Sequence, residues 1–490
     1  MAVAHLLDAF RAGLKQHPLV YRLGGFIVLV HFILATYGIE VINIDGHQQL
    51  IFLPETGGDF WKAVFYQHGN PPGLSLLFHL CRWLGGGDPY RTLTVVMPLL
   101  HAGSLAAFYF GCQRFNLSVP GWVYGLLFLN PLLFLYFKYP FYCTFLFFTA
   151  CCLIYLLSRL KHLGLGGLAL VVGLVSLNSL MRTSWHIAFA AVLAVVILGL
   201  SQVRYRWWLL LILVLPLSVY VKNYALYGVF SSSSWMGANI ANTHLPWPPK
   251  PEPQRTLGTT PPNGLVAEYA GLYNENDPRI HAYKDVFYLN QGKWNDIRYL
   301  VISEGYGQEV KERFTWRWSA NAVLMGYFLS MRSPASYFLL SKERGGITLA
   351  GKPIWNYDWL CPTYRHYSGR FFFGFIDMPE LYHQYKPWEW VTFLTTYAVA
   401  WLAILILFGF SFLKLPATYR IMYLIMGISL SIFIVIDNAE SERMRMEVEP
   451  FFYFFALVVV SRWRTGHWPW QTQNAEAGPA THDQQAQIYQ

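Results

Sequence analysis

An all-α polytopic membrane protein is the fold class this sequence predicts, and three observations predict it. Of 490 residues, 54% are hydrophobic and only 13% are charged, about half the charge of an ordinary soluble domain. The apolar residues fall into long runs, about ten of which approach the roughly 20 residues a spanning helix needs. Basic residues recur at every second break between runs, as cytoplasmic turns require. Phe, Trp and Tyr account for 18% of the chain, which suits interfacial belts and ring-lined cavities.

The runs cover 22–42, 92–112, 119–137, 140–158, 163–181, 184–201, 207–222, 388–412, 419–437 and 449–462. Arg11, Lys15 and Arg22 precede the first run and place the N-terminus in the cytoplasm. Counting from there, the inward turns carry Arg114, then Arg159 and Lys161, then Arg204 and Arg206. Lys414 and Arg420 follow, and then Arg462 and Arg464. The net charge of +9 is therefore largely topological, and nucleic acid is not the expected partner.

One apolar stretch breaks the count. "PPGLSLLFHLCRWL" (71–84) is short, opens on Pro-Pro and contains His79 and Arg82. It reads as an interfacial or re-entrant helix that returns to its own side. Making it a span would put Arg159, Lys161, Arg204 and Arg206 outside.

Six cysteines occur, at 81, 112, 143, 151, 152 and 361. Only Cys361 and Cys81 would face an oxidising compartment, so neither a disulfide framework nor a zinc spacing is implied. The first apolar run is span-length and lacks a small-residue cleavage motif, so it is expected to stay as a span. The sequon Asn116-Leu117-Ser118 falls at an inward turn, which leans toward a bacterial cytoplasmic membrane.

The domain organisation follows. Residues 1–222 form an N-terminal transmembrane module whose first outer loop is 43–91, and 223–387 form an extracytoplasmic mixed α domain. Residues 388–464 carry the C-terminal spans, and 465–490 form a polar, disordered cytoplasmic tail. The outer domain contains the extended, proline-rich "HLPWPPKPEPQR" and a helical stretch beginning "YLVISEGYGQEV". No internal repeat is visible, which weighs against an inverted-repeat transporter.

This topology gathers particular groups on the outer side. Asp45 and His47 stand just beyond the first run, in "EVINIDGHQQ", with Glu55, Asp59 and His68 further along the loop. Lys138, Arg182, Lys222, Arg443 and Arg445 sit where apolar helices meet the outer interface. A cation there can hold the phosphate of a lipid headgroup, Arg bidentately. The plainer reading of each is ordinary snorkelling at a helix end. A carboxylate beside such a site can take a proton from an acceptor group. Asp45 is the candidate, and a turn Asp satisfied by local backbone is its alternative. Asp59 reads equally as the cap of a surface helix.

Several motifs, in order, carry a resemblance. An acidic loop follows the first span. Pro71-Pro72-Gly73-Leu74 then opens a helical stretch that ends in a Gly-rich turn with Arg, from Gly85 to Arg91. "VKNYALYGVFSSSS" (221–234) leaves a span, and "ERMRMEVEPFFYFFALVVV" (442–460) opens a late one. Together they resemble the GT-C membrane glycosyltransferases, which include protein O-mannosyltransferases and the aminoarabinose transferases of lipid A. The resemblance implies an inverting enzyme that takes a sugar from a polyprenyl-phosphate carrier on the outer face and passes it to a protein, lipid or glycan. It puts Asp45 in the catalytic acidic position, with His47 as rival base, and makes the five cations candidates for the donor phosphate. His68, Asn70 and Trp235 become candidates for acceptor or sugar. Two departures stand out: Asp45-Gly46 replaces the frequent Asp-Glu, and Asn70 replaces the His or Lys that often precedes Pro-Pro.

Trp247, Trp355, Trp359 and Trp388 also fall in or beside the outer domain, where stacking on sugar and ordinary packing are both open to them. No Asp-x-Asp nucleotide-sugar motif occurs, so no metal or other cofactor is required beyond the lipid-linked sugar itself. A carrier or flippase for an anionic lipid is the alternative, but it calls for more ionisable and helix-breaking residues in mid-span.

The topology is testable by cysteine labelling from outside. A thiol introduced near Gly87 should react and one near Gln113 should not; the reverse pattern would overturn the assignment.

Overall fold

The computed structural model describes residues 15–38, 40–44, 50, 59–244, 276–289, 295–316, 319–320, 323, 347–349, 352–355, 369–370, 377–378, 399–436 and 446–471. Asp45, His47, Arg443, Arg445, Trp247, Trp359 and Trp388 lie outside them, as does the tail beyond 471.

The described chain is mostly helical. In order it forms α1 (Pro18–Thr36), α2 (Phe60–Tyr66), α3 (Gly73–Leu84), α4 (Pro89–Arg114), α5 (Gly121–Phe128), α6 (Pro131–Tyr136) and α7 (Tyr142–Leu157). Next come α8 (Leu165–Met181), α9 (Ile187–Leu200), a 3-10 segment Arg206–Leu213 running into α10 (Val214–Tyr227), and α11 (Met236–His244). Further along come α12 (Pro278–Ala282) and α13 (Ile297–Arg313), and the C-terminal part adds α14 (Val399–Phe410), α15 (Ala417–Ile436) and α16 (Glu449–Thr465). Strand is confined to two short antiparallel pairs, β1 (Ile347–Leu349) with β2 (Lys352–Trp355), and β3 (Gly369–Arg370) with β4 (Asp377–Met378).

Among the described residues, three helices are long and apolar enough to cross a membrane: Pro18–Thr36, Pro89–Arg114 and the continuous Arg206–Tyr227. Shorter apolar helices coincide with other expected runs, including Tyr142–Leu157, Leu165–Met181 and Ile187–Leu200. At 1.5 Å per residue the 14 residues of α9 reach about 21 Å, short of a hydrocarbon core of about 30 Å. The run at 119–137 is divided into α5 and α6. Pro131 supplies no amide hydrogen and disfavours helix at Asn130, so the ladder stops there. The stretch 73–84 is a separate 12-residue helix, as its length and Pro-Pro start lead one to expect. It buries Leu74, Phe78 and Cys81 while leaving Leu80, Trp83 and Leu84 exposed.

Helix α4 is the hub, packing along α7, α1 and α3. The break before Pro131 is stitched to it. A carbonyl freed at a helix break needs a new donor, and His101 of α4 stands with Nε2 3.0 Å from the Phe128 carbonyl. That oxygen only accepts, so the proton of a neutral His101 is on Nε2 and its Nδ1 accepts. His31 of α1 lies with Nε2 3.0 Å from that Nδ1 and is therefore the donor. Lys138 Nζ then donates to the His31 carbonyl at 3.0 Å. Both imidazoles are buried, and Phe137 stacks on His101 with centroids 4.4 Å apart. One polar chain thus joins α1, α4 and the α5–α6 break.

The N-terminus of α3 abuts the C-terminus of α8. A Cβ on Gly73 would meet the Leu180 carbonyl oxygen at 2.6 Å, so only glycine admits this approach. Gly237 of α11 plays the same part against Ser303 of α13, at 2.0 Å. Gly73→Ala should destabilise the protein by about 1–3 kcal/mol, as overpacking does. Gly25→Ala in α1, where nothing lies within 4 Å, should leave stability unchanged or raise it slightly. Thermal unfolding in detergent measures both; equal midpoints for the two variants would refute the contact.

Candidate functional site

The exit of α1 is held by hydrogen bonds on the way to residue 45. The Ile42 amide donates to the Lys138 carbonyl at 2.7 Å. The Ile44 amide donates to Tyr90 Oη at 2.8 Å, and that hydroxyl donates to Asn43 Oδ1 at 3.0 Å. Tyr90 is placed by Asp88, the N-cap of α4, whose carboxylate accepts from the Tyr90 amide at 2.9 Å. Residues 42–44, the last described before Asp45, are thus held by Lys138 at one end and Tyr90 at the other. Lys138 is buried. Burial pushes its ammonium down from the usual lysine range, and the Glu40 carboxylate partly offsets this.

His68, Asn70, Lys222 and Trp235, drawn from two distant segments, come together in a second group. Ser234 donates its amide to the His68 carbonyl at 2.9 Å, and Ser234 Oγ sits 2.8 Å from His68 Nδ1. Ser233 Oγ donates to the Gly69 carbonyl at 2.5 Å and accepts from the Trp235 amide at 3.2 Å. Lys222 Nζ donates to the Gln67 carbonyl, and Tyr227 Oη to the Tyr66 carbonyl at 2.8 Å. A third segment closes the group. Asn295 Oδ1 accepts from the amides of His68 at 2.7 Å and Gly69 at 3.2 Å. Its Nδ2 donates to the carbonyls of Tyr66 at 3.3 Å and Tyr288 at 3.2 Å. Trp235 packs near Tyr299, with ring centroids 5.2 Å apart.

The local sequence explains this convergence. Gly228, at φ +76°, ends α10 in the left-handed conformation that glycine adopts without strain. Of the four serines at 231–234, Ser233 bonds the facing backbone through its Oγ and Ser234 through its amide, while Ser231 bonds back to Ser233. Pro71 and Pro72 keep 67–72 from continuing the helix of α2 into α3. Burial drives the His68 imidazole down to about 3, with Lys222 adding to the effect, so the ring is neutral at any working pH.

Arg182 is anchored elsewhere. Its Nε is 2.9 Å from Glu447 Oε1, the two side chains 10% and 0% exposed, and its guanidinium lies 4.3 Å from the Tyr142 ring centroid. Glu447 stands just before α16, whose first residue, Glu449, is also buried. Asp59, the alternative helix cap, does cap α2, accepting from the Lys62 amide at 3.1 Å. Asn70 is half-buried beside His68.

Several contributors were not singled out from sequence. His31 and His101 carried a usable signal, being ionisable residues inside apolar runs. Glu447 and Asn223 lie inside the quoted stretches 442–460 and 221–234 without being singled out there, and Gln67 and Asn295 carried no signal at all. Among the described residues, no group of three or more His, Cys, Asp or Glu side chains is placed to hold a metal ion.

Fold and site define a mostly helical protein with segments able to cross a membrane and a polar, partly cationic end where several of its helices begin or stop. Compared with family models, curated proteins and solved structures, the chain matches none.

The Arg182–Glu447 pair is open to a double-mutant cycle. Removing one partner strands a buried charge, which costs about 3–5 kcal/mol. Arg182→Met and Glu447→Gln should each lower the unfolding midpoint sharply, and the double variant should recover much of the loss. Additive losses would show that the two charges are independent.

Proposed function

We propose that this protein is an integral membrane glycosyltransferase of about ten spans. It moves a sugar from a polyprenyl-phosphate carrier to a protein, lipid or glycan acceptor on the extracytoplasmic face of a bacterial cytoplasmic membrane. The observation that carries the reading is the clamp on the α1 exit, where Ile42 bonds to Lys138 and Ile44 to Tyr90. An ionisable loop residue at a membrane boundary gains little from a fixed position unless it has to meet another group there. In this reading the clamp on 42–44 serves the next residue along the chain, Asp45.

The reaction is a single displacement. Asp45 takes the proton of the acceptor hydroxyl or amine as that atom bonds to the anomeric carbon. The bond from that carbon to the phosphate oxygen breaks, its electron pair leaves with the phosphate, and the configuration inverts. Cations drawn from Lys138, Arg182, Lys222, Arg443 and Arg445 stabilise the charge that develops on the leaving phosphate. Arg182, already paired with Glu447, serves this end chiefly by fixing the start of α16, the segment that follows Arg443 and Arg445. No metal enters the scheme.

A carrier or flippase is the second reading, and one observation favours it: the His31–His101 bond joins two histidines inside apolar helices. The direction of that chain weighs on the other side. It ends on the Phe128 carbonyl, which cannot pass a proton on.

Asp45→Asn keeps the shape of the side chain and removes its basicity. Transfer from a polyprenyl-phosphate sugar should fall by about 10²–10⁴-fold, the usual contribution of a general base, with carrier binding near wild type. A near-normal rate in Asp45→Asn, with His47→Ala inactive, would move the role to the histidine. Movement of a labelled lipid phosphate across liposomes, with no transfer to any acceptor, would establish the flippase instead.

A further inference from the structure

The group around His68 contains buried polar atoms that the fold itself does not use. Gln67 Oε1, His68 Nε2 and Asn223 Oδ1 have no hydrogen-bond partner, on side chains 4%, 1% and 2% exposed. Leaving such atoms unmatched is costly, and they belong to two segments that the Lys222–Gln67 and Ser234–His68 bonds tie together. The orientation of Asn223 is fixed: its Nδ2 donates to the Ser231 carbonyl at 2.7 Å, so the open end is the oxygen. Ser234 occupies Nδ1 of His68, and either neutral tautomer leaves Nε2 open. Beside them stands Lys222 Nζ, which gives one hydrogen to the Gln67 carbonyl and keeps at least one more to donate.

The mixture of donors and acceptors discriminates between ligands. A phosphoryl group offers only acceptor oxygens; it would suit Lys222 but oppose Gln67 Oε1 and Asn223 Oδ1. A hydroxyl donates and accepts at once, so adjacent hydroxyls on one ring satisfy the amide oxygens and Lys222 Nζ together. Aromatic faces that suit such a ring are near. Tyr227 lies 4.9 Å from the His68 ring, and Trp235 follows directly on the serines that bind 68–69.

We propose that Gln67, His68, Lys222 and Asn223 form a subsite that recognises the neighbouring hydroxyls of a sugar ring. The inference rests on the glycosyl-transfer reading and, within it, moves Lys222 from the phosphate to the sugar. The sugar is either the one carried by the lipid or part of a glycan acceptor.

Binding to the full-length protein in nanodiscs tests this. The probes are polyprenyl phosphate, the same lipid bearing mannose, glucose or galactose, and the corresponding methyl glycosides. One glycosylated carrier should bind at least tenfold more tightly than the bare phosphate. Gln67→Met, which removes a side-chain oxygen unused by the fold, should reduce that advantage by about two- to tenfold, the effect of one hydrogen bond. Asn223→Leu should reduce it further, and neither variant should alter binding of the bare phosphate. A methyl glycoside that binds and is lost in Gln67→Met, with the carriers unaffected, would also support the subsite and assign it to the acceptor. If glycosides bind while no carrier does, the subsite stands and the lipid-donor reading falls. Bare phosphate bound as tightly as every glycosylated form, or weakened equally by Gln67→Met, overturns the subsite and leaves the lipid-donor reading intact. No binding by any probe overturns both.

Discussion

A carbonyl freed inside an apolar interior must find a donor, and much of this architecture depends on how that demand is met at Phe128. The ladder of α5 stops before Pro131, and His101 reaches across from α4 to take the orphaned oxygen. That single bond determines which nitrogen of His101 carries the proton, and hence which way the His31 hydrogen points. Through Lys138 the same chain reaches the last turns of α1. The path of the chain as it leaves α1 at 42–44 is therefore traceable, bond by bond, to a proline in the middle of an apolar stretch.

The polar end of the molecule uses two different strategies for burying charge and polarity. At Arg182 the charge is neutralised within the protein, by a carboxylate from a remote segment and by the face of Tyr142. Around His68 the backbone is fully engaged, by Ser233, Ser234 and Asn295, while several side-chain atoms are left over. The first arrangement rigidifies; the second keeps hydrogen-bonding capacity for something other than the fold. The two are linked through the contact of α3 with the end of α8, because Gly73 follows the His68 loop and touches the residues just before Arg182.

Hydrophobic runs made most helices legible in the sequence, since a helix that must bury or expose an apolar surface announces its length. The match at Tyr142–Leu157 and Leu165–Met181 comes within a few residues at each end. The run at 119–137 misled because hydropathy does not register a missing amide hydrogen; Pro131 does. Of the candidate site, His68, Lys222 and Trp235 were visible as polar or aromatic residues at helix exits, and the fold brings them together. Asn295 was not visible, because a residue that matters through four backbone contacts has no spacing or charge to distinguish it. The pairing of Arg182 with Glu447 was hidden for a similar reason. No acid stands near Arg182 in sequence, and only the path of the chain brings Glu447 to it.

That remote pairing has a consequence for biosynthesis. Arg182 is made, and α8 completed, long before Glu447 leaves the ribosome. Until then the cation at the end of α8 has no carboxylate to neutralise it, and α16 is not present to close over it. The N-terminal helices therefore wait in a provisional arrangement for the C-terminal ones. A chain that terminates before residue 447 carries Arg182 at the end of α8 without this carboxylate.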